Sequence, residues 1–536
     1  MVSHTNQGIS HILQEGTKIS FGLHEVFLKN LEACDDLKKK ISSSFGPNGM
    51  NKLMLQKNGR ILISSDTVSI LNNLKFIHPA SKILVFSALF QEQELGDNAG
   101  TVILLSTEIL KQAYELLKSG FSTSEIIQNF EEAGRITLKI LNSLVVHRLI
   151  NLKNLNLVKS VLFFCTKESD RNFNNHIAPQ IAFICSRIFS TAFQKFSKEN
   201  LRVIKIIGGS INETKTISGS VILKDTEGSV KNTRKANIVM FSCLFDLPGV
   251  ETKNSFLFKK PQDILSYEKD LTNSMEEKIT TLHQKGINVI IANGFGDSVL
   301  GFLEKYKIMA IKITSKFDLK RIASTSGSTV LSRVKVPSSN EIGKCDFVSV
   351  RAFAHQKVII FKQEISENKI FTIIARGSTT HVLDKIERII HRAASVFKTI
   401  ARDSRFVAGG GACELELYRR LNKIASKKKE ETEKIIFEKF AESFEIIPST
   451  LLVNSGSNSL VDLSFLHSVH SSGWESKGVN IKGKNSFREQ TYEVLDSFPC
   501  KYWSIKHAID SAIILLSIDQ VIMSRDFSKN LENTEN

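Results

Sequence analysis

A run of small and polar residues, Gly96-Asp97-Asn98-Ala99-Gly100-Thr101, separates two stretches that have the apolar spacing of helices. Gly96 is typical of a residue that ends a helix, and Gly100 with Thr101 begins the next one. The amides and the positive dipole end of a helix start can hold an anion, and a carboxylate such as Asp97 can ligate the magnesium ion that accompanies a phosphate. A corner between two helices with an aspartate cap explains the same residues without a ligand. The run therefore predicts either a phosphate and metal site or such a corner.

The N-terminal part of the chain, before and after this run, is mostly helical in pattern. The spacing of apolar residues predicts one long helix over residues 17–44, which the glycine- and proline-rich segment 42–49 stops. Two short extended segments follow, and Asp66 lies at the next strand-to-helix corner. Farther on, Ser122 and Glu125 form a capping box that starts another helix. We expect residues 1–145 to be almost wholly helical.

The middle of the chain changes character. Strands alternate with helices from about residue 203, and the predicted strands are 203–207, 238–245, 289–292, 309–313, 358–361 and 370–375. Beyond residue 377 the pattern is helical again, over 382–400, 412–425, 431–444 and 502–523. Helical ends around a mixed middle predict that the two ends of the chain join into one domain and that the α/β part is an insertion.

Length and composition exclude several classes of protein. At 536 residues and 60.0 kDa the chain is long enough for two or three domains. It has no run of 18 apolar residues and no basic-then-apolar leader, so we expect a soluble protein of the cytosol that contacts no membrane. Its 7 cysteines are odd in number, scattered and without a C-x-x-C pair, which argues against a disulfide framework and a zinc site.

Three other functions are weighed against the composition and motifs of the chain. The formal charge of +16 suggests a basic nucleic-acid-binding protein, but the lysines and arginines are spread along the whole chain, so we expect no specific nucleic-acid contact. A soluble ATP-dependent enzyme would need a Walker loop, and no G-x-x-x-x-G-K-[ST] sequence occurs. A dinucleotide enzyme would need G-x-G-x-x-G, whereas residues 294–296 lack the third glycine.

Several motifs in order resemble those of the group II chaperonins over nearly the whole chain. The turn Phe45-Gly46-Pro47-Asn48-Gly49-Met50-Asn51-Lys52 is similar to the family's L-G-P-x-G-x-x-K, and Asp66 lies in a stretch similar to N-D-G-A-T-I. Gly96-Asp97 begins a version of G-D-G-T-T, and Val407-Ala408-Gly409-Gly410-Gly411-Ala412 resembles V-P-G-G-G-A. The resemblance is to subunits of the eukaryotic cytosolic chaperonin.

The resemblance implies a multi-domain α and α/β fold with three domains. A mostly helical equatorial domain would consist of residues 1–148 and 401–536, a small intermediate domain of 149–216 and 375–400, and an inserted α/β apical domain of 217–374. The helical pattern over residues 262–285 would then belong to a protruding lid.

The resemblance also implies a function. The chain would be one subunit of a cytosolic, ATP-dependent double ring, with seven related subunits as partners, and the ring would enclose and fold polypeptides such as actin and tubulin. We expect the apical domain to bind unfolded clients, because an apolar run at residues 255–258 has cations beside it.

The resemblance assigns ATP and magnesium as cofactors and gives each matching residue a role. Gly46, Pro47 and Gly49 would curl amides around the phosphates, as a glycine-lined loop can. Asp97 would hold magnesium, and Asp66 would stand beside the γ-phosphate and the attacking water. The remaining nucleotide-binding positions are Asn98, Ala99, Gly100 and Thr101 at the helix start, Gly410 and Gly411 beside the base and ribose, and Asp496 at the sugar. Turn glycines and capping aspartates would explain the same residue types without a nucleotide.

Two departures from the family pattern concern hydrolysis. Where relatives have an aspartate in E-R-x-x-H-D-A that orients the hydrolytic water, this chain reads Glu387-Arg388-Ile389-Ile390-His391-Arg392-Ala393. The guanidinium of Arg392 cannot act as a base at neutral pH, because its pKa is above about 12. G-D-G-T-T has also become Gly96-Asp97-Asn98-Ala99-Gly100, with one glycine and two hydroxyls lost. We therefore expect metal and phosphate to bind but hydrolysis to be weak, with no rescue by Asp384, which the helical period turns away from Arg392.

Overall fold

The structure is a computed structural model, and it describes residues 18–20, 23–56, 59, 61–148, 171–191, 200–246, 261–363, 370–479 and 494–523. The chain divides into two compact units. The first contains residues 1–152, 160–169 and 395–536, and the second contains 153–159 and 170–394. The three-domain division stays a prediction, and the apolar run at residues 255–258 lies outside the described residues.

The helices of the described residues are α1 Leu23–Ser42, α2 Thr67–Asn73, α3 Pro79–Leu95, α4 Ala99–Lys118, α5 Thr123–Ser143, α6 Arg171–Thr191, α7 Pro261–Gln284, α8 Asp297–Lys305, α9 Lys316–Ser326, α10 Thr380–Arg402, α11 Ala412–Ala425, α12 Glu431–Glu442, α13 Ile446–Asn454, α14 Ser459–Ser471 and α15 Phe498–Leu516. None of these helices is both long enough and apolar enough to cross a bilayer.

The strands of the same residues are β1 Lys18–Ser20, β2 Lys52–Leu55, β3 Ile61–Ser64, β4 Val145–Arg148, β5 Leu201–Ile207, β6 Lys215–Ile222, β7 Asn232–Phe241, β8 Leu244–Phe245, β9 Val289–Ala292, β10 Gly294–Phe295, β11 Met309–Lys312, β12 Val330–Leu331, β13 Gly343–Phe353, β14 Gln356–Lys362, β15 Phe371–Gly377, β16 Arg405–Ala408, β17 Leu495–Ser497 and β18 Val521–Met523.

Helix α4 is the centre of the first unit. Its first twelve residues are all buried, so it is apolar on every side rather than along one stripe, as a helix inside a helical core must be. Helices α1, α3, α5, α12 and α15 pack around it into one continuous core that includes Phe130, Phe437 and Phe440. The start of α4, which carries the candidate chemistry, is therefore held by a rigid body.

The ends of the described chain correct two predictions. Residues 17–44 were expected to form one helix and 502–523 another, but α1 starts only at Leu23 and α15 ends at Leu516. Residues 18–20 and 521–523 instead form β1 and β18, which pair antiparallel with Ile19 opposite Ile522. A partner about 500 residues away in the sequence satisfies these backbone groups, so the local helical pattern does not decide their structure.

A mixed sheet forms the core of the second unit. Its strand order is β11-β9-β7-β13-β14-β6-β15-β5, with β12 beside β7. β5 and β15 are parallel to each other, as are β7, β9 and β11, whereas β6, β13 and β14 join them through antiparallel pairs. All six predicted strands exist, and β6 and β13 complete the sheet between them.

Strands β2 and β3 form a hairpin in the first unit. Several of its apolar side chains are largely exposed to solvent: Leu53 is 69% exposed and Leu55 is 71% exposed. Met50, Ile61 and Ile63 are exposed as well. A two-stranded hairpin of this kind has little stability alone, and contiguous exposed apolar side chains are typical of an interaction surface.

Candidate functional site

The corner between α3 and α4 has the backbone that its glycine and asparagine predict. Gly96 is left-handed, with φ of 83°, and its amide donates to the carbonyl of Glu92, so it ends α3 as expected. Asn98 is also left-handed, with φ of 69°, and as the N-cap of α4 it makes no capping hydrogen bond with its side chain. Oδ1 of Asp97 accepts from the amide of Asn98 at 2.7 Å.

Gln91 holds this corner in place through two hydrogen bonds. Its buried side-chain amide donates to the carbonyl of Asp97 at 3.1 Å and to the carbonyl of Cys500 at 3.0 Å. It therefore ties the loop that carries Asp97 to the first turn of α15. Sequence reasoning gave Gln91 no role in the site, since a glutamine near a helix end carries no signal of a partner 409 residues away.

The glycine loop after α1 lies beside the start of α4. Gly46 is left-handed, with φ of 82°, and the amide of Gly49 donates to its carbonyl at 3.1 Å. A Cβ on Gly49 would stand 2.2 Å from the carbonyl oxygen of Ser44, and one on Gly100 would stand 3.0 Å from the ring of Phe45. Glycine at position 49 lets the loop close on its own backbone, and glycine at position 100 lets α4 lie against the Phe45 ring. Pro47 is in the turn between Gly46 and Gly49.

Asp66 begins α2 as its N-cap. Its Oδ2 accepts from the amide of Ser69 at 3.0 Å and from the Ser69 hydroxyl at 2.7 Å. Thr67, the next residue, reaches the same place as the glycine loop, since a Cβ on Gly100 would be 3.1 Å from its Oγ1. The capping interpretation of Asp66 is thus correct for this carboxylate, and its proposed role toward the γ-phosphate stays a prediction.

The glycine run before α11 carries the fourth part of the site. Val407 of β16 lies opposite Asp496 of β17, and a Cβ on Gly409 would be 3.0 Å from the Asp496 carboxyl carbon. Gly410 and Gly411 are both left-handed, with φ of 64° and 82°. Gly411 is the N-cap of α11, and as a glycine it has no side chain that could cap the amides of the first turn.

Helix α13 joins these segments. Its Leu451 side chain would be 2.6 Å from a Cβ on Gly46, and its Pro448 would be 3.0 Å from a Cβ on Gly411. Asn454 at its end donates to the carbonyls of Ser42 and Phe45 at 2.7 and 2.8 Å. One short helix, which the sequence did not reveal as part of the site, therefore sets the glycine loop and the glycine run at a fixed spacing.

Three carboxylates and one ammonium group supply the charge. Lys501 is buried and forms an ion pair with Glu414 and a second one, at 3.1 Å, with Oδ2 of Asp496. Burial raises the pKa of Asp496, and the charges of Glu414 and Asp97 raise it further while that of Lys501 lowers it. The pKa of Lys501 is raised, because the two carboxylates outweigh the effect of burial, which lowers it. Lys501 is therefore cationic at neutral pH.

The donor set suits a nucleotide with its metal. The glycine loop, the α4 start and the glycine run offer backbone amides, as phosphates and a ribose require. Their glycines carry no side chain that would fill the space beside these amides. Asp97 offers an oxygen ligand of the hard type that magnesium prefers. All the nucleotide-binding positions predicted from the sequence belong to the first unit.

Two predicted positions of α10 belong to the second unit. Arg392 is half-buried, and its role toward a nucleotide stays a prediction. The carboxylate of Asp384 is bound to Lys205 of β5 at 2.8 Å, as is that of Glu387. Asp384 therefore has a partner in Lys205, and the expectation that it does not replace the missing aspartate stays a prediction.

Both ends of the chain form a helical unit with glycine-rich helix starts, and an α/β part is inserted between them in the sequence, which is the pattern predicted for a chaperonin. Comparison with protein families supports this: the model of the TCP-1/cpn60 chaperonin family matches residues 37–526. The chain therefore belongs to the TCP-1/cpn60 chaperonin family, and it is a chaperone of the protein-folding machinery. The fold class predicted from the sequence is thereby confirmed.

Within the family, the segments 46–52, 78–80, 91–94, 501–503 and 517–523 resemble the theta subunit of the cytosolic chaperonin. T-complex protein 1 subunit theta of Macaca fascicularis and of Homo sapiens are each 35% identical to this chain, over 97% of the chain and 95% of the relative. The same subunit of Caenorhabditis briggsae is 32% identical over 97% of the chain and 94% of the relative. The similarity to theta subunits is thus confirmed.

Proposed function

We propose that the chain is an ATP-binding subunit of a cytosolic chaperonin ring and that its partners are those of a theta-type subunit. The observation that carries the proposal is that the glycine loop contacts α13 together with the glycine run beside Asp496, and contacts the starts of α2 and α4 at Gly100, all within one compact unit. A cap-and-turn explanation accounts for each residue singly. It gives no reason for Gly100, in the first turn of α4, to lie without a side chain against Phe45 and Thr67.

Each segment has a task toward the nucleotide in this proposal. Amides of Gly46, Gly49 and the first turn of α4 bind phosphate oxygens, and Asp97 binds magnesium. Bound magnesium and phosphates would supply the leaving-group chemistry of phosphoryl transfer. Gly410 and Gly411 leave space for the base and ribose, and Asp496 accepts from the ribose hydroxyls.

Asp66 holds the start of α2 and offers its free oxygen toward the water. The hydrogen bonds from Ser69 fix the carboxylate in one orientation, so it can position a water molecule without a reorganisation cost. Orientation of the water rather than proton removal is the contribution that we propose for Asp66.

The hairpin of β2 and β3 supports membership in a ring. Its exposed side chains Leu53, Leu55 and Ile61 need a cover, and its edges present unpaired backbone groups that can pair with another strand. We propose that a neighbouring subunit supplies both. The ring would be a double ring of this chain with seven related subunits.

The second unit would hold the apical part of the subunit, which binds unfolded clients such as actin and tubulin. Helix α7 confirms the long helical pattern over residues 262–285, and its place in a closing lid is proposed from the resemblance. The mixed sheet provides a rigid base for such a lid.

Nucleotide binding and assembly are tested together. The full-length chain is purified from its native host by a C-terminal tag and sedimented, and the assembled fraction is photolabelled with 8-azido-ATP in the presence of magnesium. We expect this chain to sediment in an assembly many times larger than 60.0 kDa and to be labelled within residues 44–49 or 408–412. Sedimentation as a monomer would refute the ring, and labelling outside the first unit would refute the site.

We further propose that this subunit hydrolyses ATP slowly, because Arg392 replaces the water-orienting aspartate. A positioned acid–base group is worth roughly 10²- to 10⁴-fold in rate. Replacement of Arg392 by Asp in the assembled ring should raise turnover at this site at least about tenfold. The matched control is Arg388→Asp, which places the same charge one turn earlier in α10 and should leave turnover unchanged. Equal turnover of all three proteins would mean that Arg392 does not limit hydrolysis.

A further inference from the structure

The first turn of α15 contains a buried cation, Lys501, that forms ion pairs with two carboxylates. Lys501 is 4% exposed, and its ammonium group lies between Glu414, which is 1% exposed, and Asp496, which is 30% exposed. Glu414 is in the first turn of α11 and Asp496 is in β17, so one ammonium group joins three separate elements of the first unit.

Only the Asp496 carboxylate of this trio reaches solvent. Its other neighbour is the backbone of Gly409, where a Cβ would be 3.0 Å from Oδ1. The strand pairing of Val407 with Asp496 fixes the main chain but leaves the side chain free to rotate. Lys501 binds Oδ2, which leaves Oδ1 on the side of the glycine run.

Removal of the ammonium group would change more than one ion pair. Glu414, Asp496 and Asp97 would then be three carboxylates close enough to influence one another, with no cation of the described residues acting on Asp496. Like charges in a poorly solvated site repel strongly, so the one carboxylate with access to solvent would turn away from the others.

We propose that Lys501 is a positioning residue for ribose recognition: by binding Oδ2 of Asp496 it holds Oδ1 where the ribose hydroxyls donate, and so it sets the preference for ribonucleotides over deoxyribonucleotides. The inference rests on the proposed nucleotide site. It adds to that site a lysine that touches neither phosphate nor sugar. A hydrogen bond to a charged group contributes enough binding energy for about a tenfold or larger preference.

The test measures competition rather than activity. The assembled full-length protein is photolabelled with 8-azido-ATP, and ATP or 2′-deoxy-ATP competes for the label on this chain. We expect the wild-type protein to favour ATP by about tenfold and Lys501→Met to reduce that ratio to about one. Affinity for pyrophosphate, measured by the same competition, should be unchanged, because Lys501 does not act on the phosphate segments.

A second variant covers a failure to fold. Lys501→Met leaves Glu414 buried without a counter-ion, whereas Lys501→Met with Glu414→Gln removes both charges and keeps the shape of the site. The double variant should fold like the wild type and still show a ratio of about one. Lys38→Met removes a comparably buried lysine from its pair with Glu108 and should keep the tenfold preference.

The outcomes separate the two proposals. If the wild type is not labelled at all, the nucleotide site itself is wrong. If it is labelled but the double variant keeps the wild-type preference for ATP, or the wild type has none, Lys501 does not position Asp496 and the inference fails while the nucleotide site stands.

Discussion

Helices α4 and α5 are neighbours in the sequence, and both lie in the first unit, but they begin in different ways. At α5 the hydroxyl of Ser122 accepts from the amide of Glu125, and the Glu125 carboxylate accepts from the amide of Ser122. At α4 the N-cap is the left-handed Asn98, whose side chain makes no capping hydrogen bond. The capping box at α5 satisfies donors within four residues, whereas the N-cap side chain of α4 satisfies none.

The difference teaches where a binding site can be read from local sequence. A capping box is complete in itself, so its sequence predicts its structure and implies no ligand. The α4 start becomes meaningful only because Phe45 and Thr67 surround Gly100. Four variants would break or sharpen this comparison, and the unfolding of the first unit can be followed separately, since both tryptophans, Trp474 and Trp503, belong to it.

Gly49→Ala should have the largest effect. The new methyl group would overlap the carbonyl oxygen of Ser44, 2.2 Å away, so the loop must open at a cost of about 2 to 3 kcal/mol in the free energy of unfolding. Urea unfolding followed by tryptophan fluorescence measures this. Gly120→Ala is the control, since Gly120 is left-handed in open space and should cost only about 1 kcal/mol. Equal losses in the two variants would contradict the close packing of the loop.

Gly100→Ala should separate binding from stability. The methyl group would enter the space between α4 and the ring of Phe45, so we expect ATP affinity to fall about tenfold, which is about 1.4 kcal/mol. Alanine also favours the helix, by up to about 1 kcal/mol relative to glycine, so the urea midpoint should not fall. Unchanged competition against 8-azido-ATP would show that nothing binds beside Gly100.

Ser122→Ala should do the reverse at α5. It removes the capping box and should cost about 1 kcal/mol of unfolding free energy, with ATP affinity unchanged. Asn98→Gly is the matched change at α4, because glycine keeps the left-handed backbone and has no side chain that the first turn uses. Its urea midpoint should stay within a few tenths of a kcal/mol of the wild type. A loss of ATP affinity in Ser122→Ala would mean that the two helix starts do not act independently.

Asp496→Asn should show the smallest effect, and its sign depends on pH. The pKa of Asp496 is raised in the folded chain, so its ionisation reduces stability as the pH rises above the unfolded pKa of about 3.9, and the penalty is complete above the folded pKa. The neutral variant should therefore have a slightly higher urea midpoint than the wild type at pH 7 and the same midpoint near pH 4. A lower midpoint at pH 7 would indicate that the Lys501 ion pair outweighs burial and the nearby carboxylates.

Local features of the sequence predicted many elements to the residue. Helix α11 and strand β9 have the predicted bounds, and Gly96 ends α3 as expected. In each case a short-range cause suffices: an apolar period, a β-branched run or a residue that tolerates the left-handed backbone. The family motifs added the site residues, which periodicity alone left as turns and caps.

Partners that are distant in the sequence decided the rest. β6 and β13 were missed because polar residues interrupt their apolar pattern, and the strands exist through register with β7, β14 and β15. The role of Gln91 likewise depends on a carbonyl of α15. The buried ammonium group of Lys501 depends on the carboxylate of Glu414 in α11.

The sequence by itself determined the helical ends, the inserted α/β part, the glycine positions and the loss of the aspartate at Arg392. Only the tertiary structure decided that β1 and β18 are strands, that α13 spaces the two glycine segments, and that one buried ammonium group serves two carboxylates. The physical reason is range. Helix periods and turn residues act within a few positions, whereas a strand edge, a buried charge or an orphan carbonyl is satisfied by whatever the fold brings beside it.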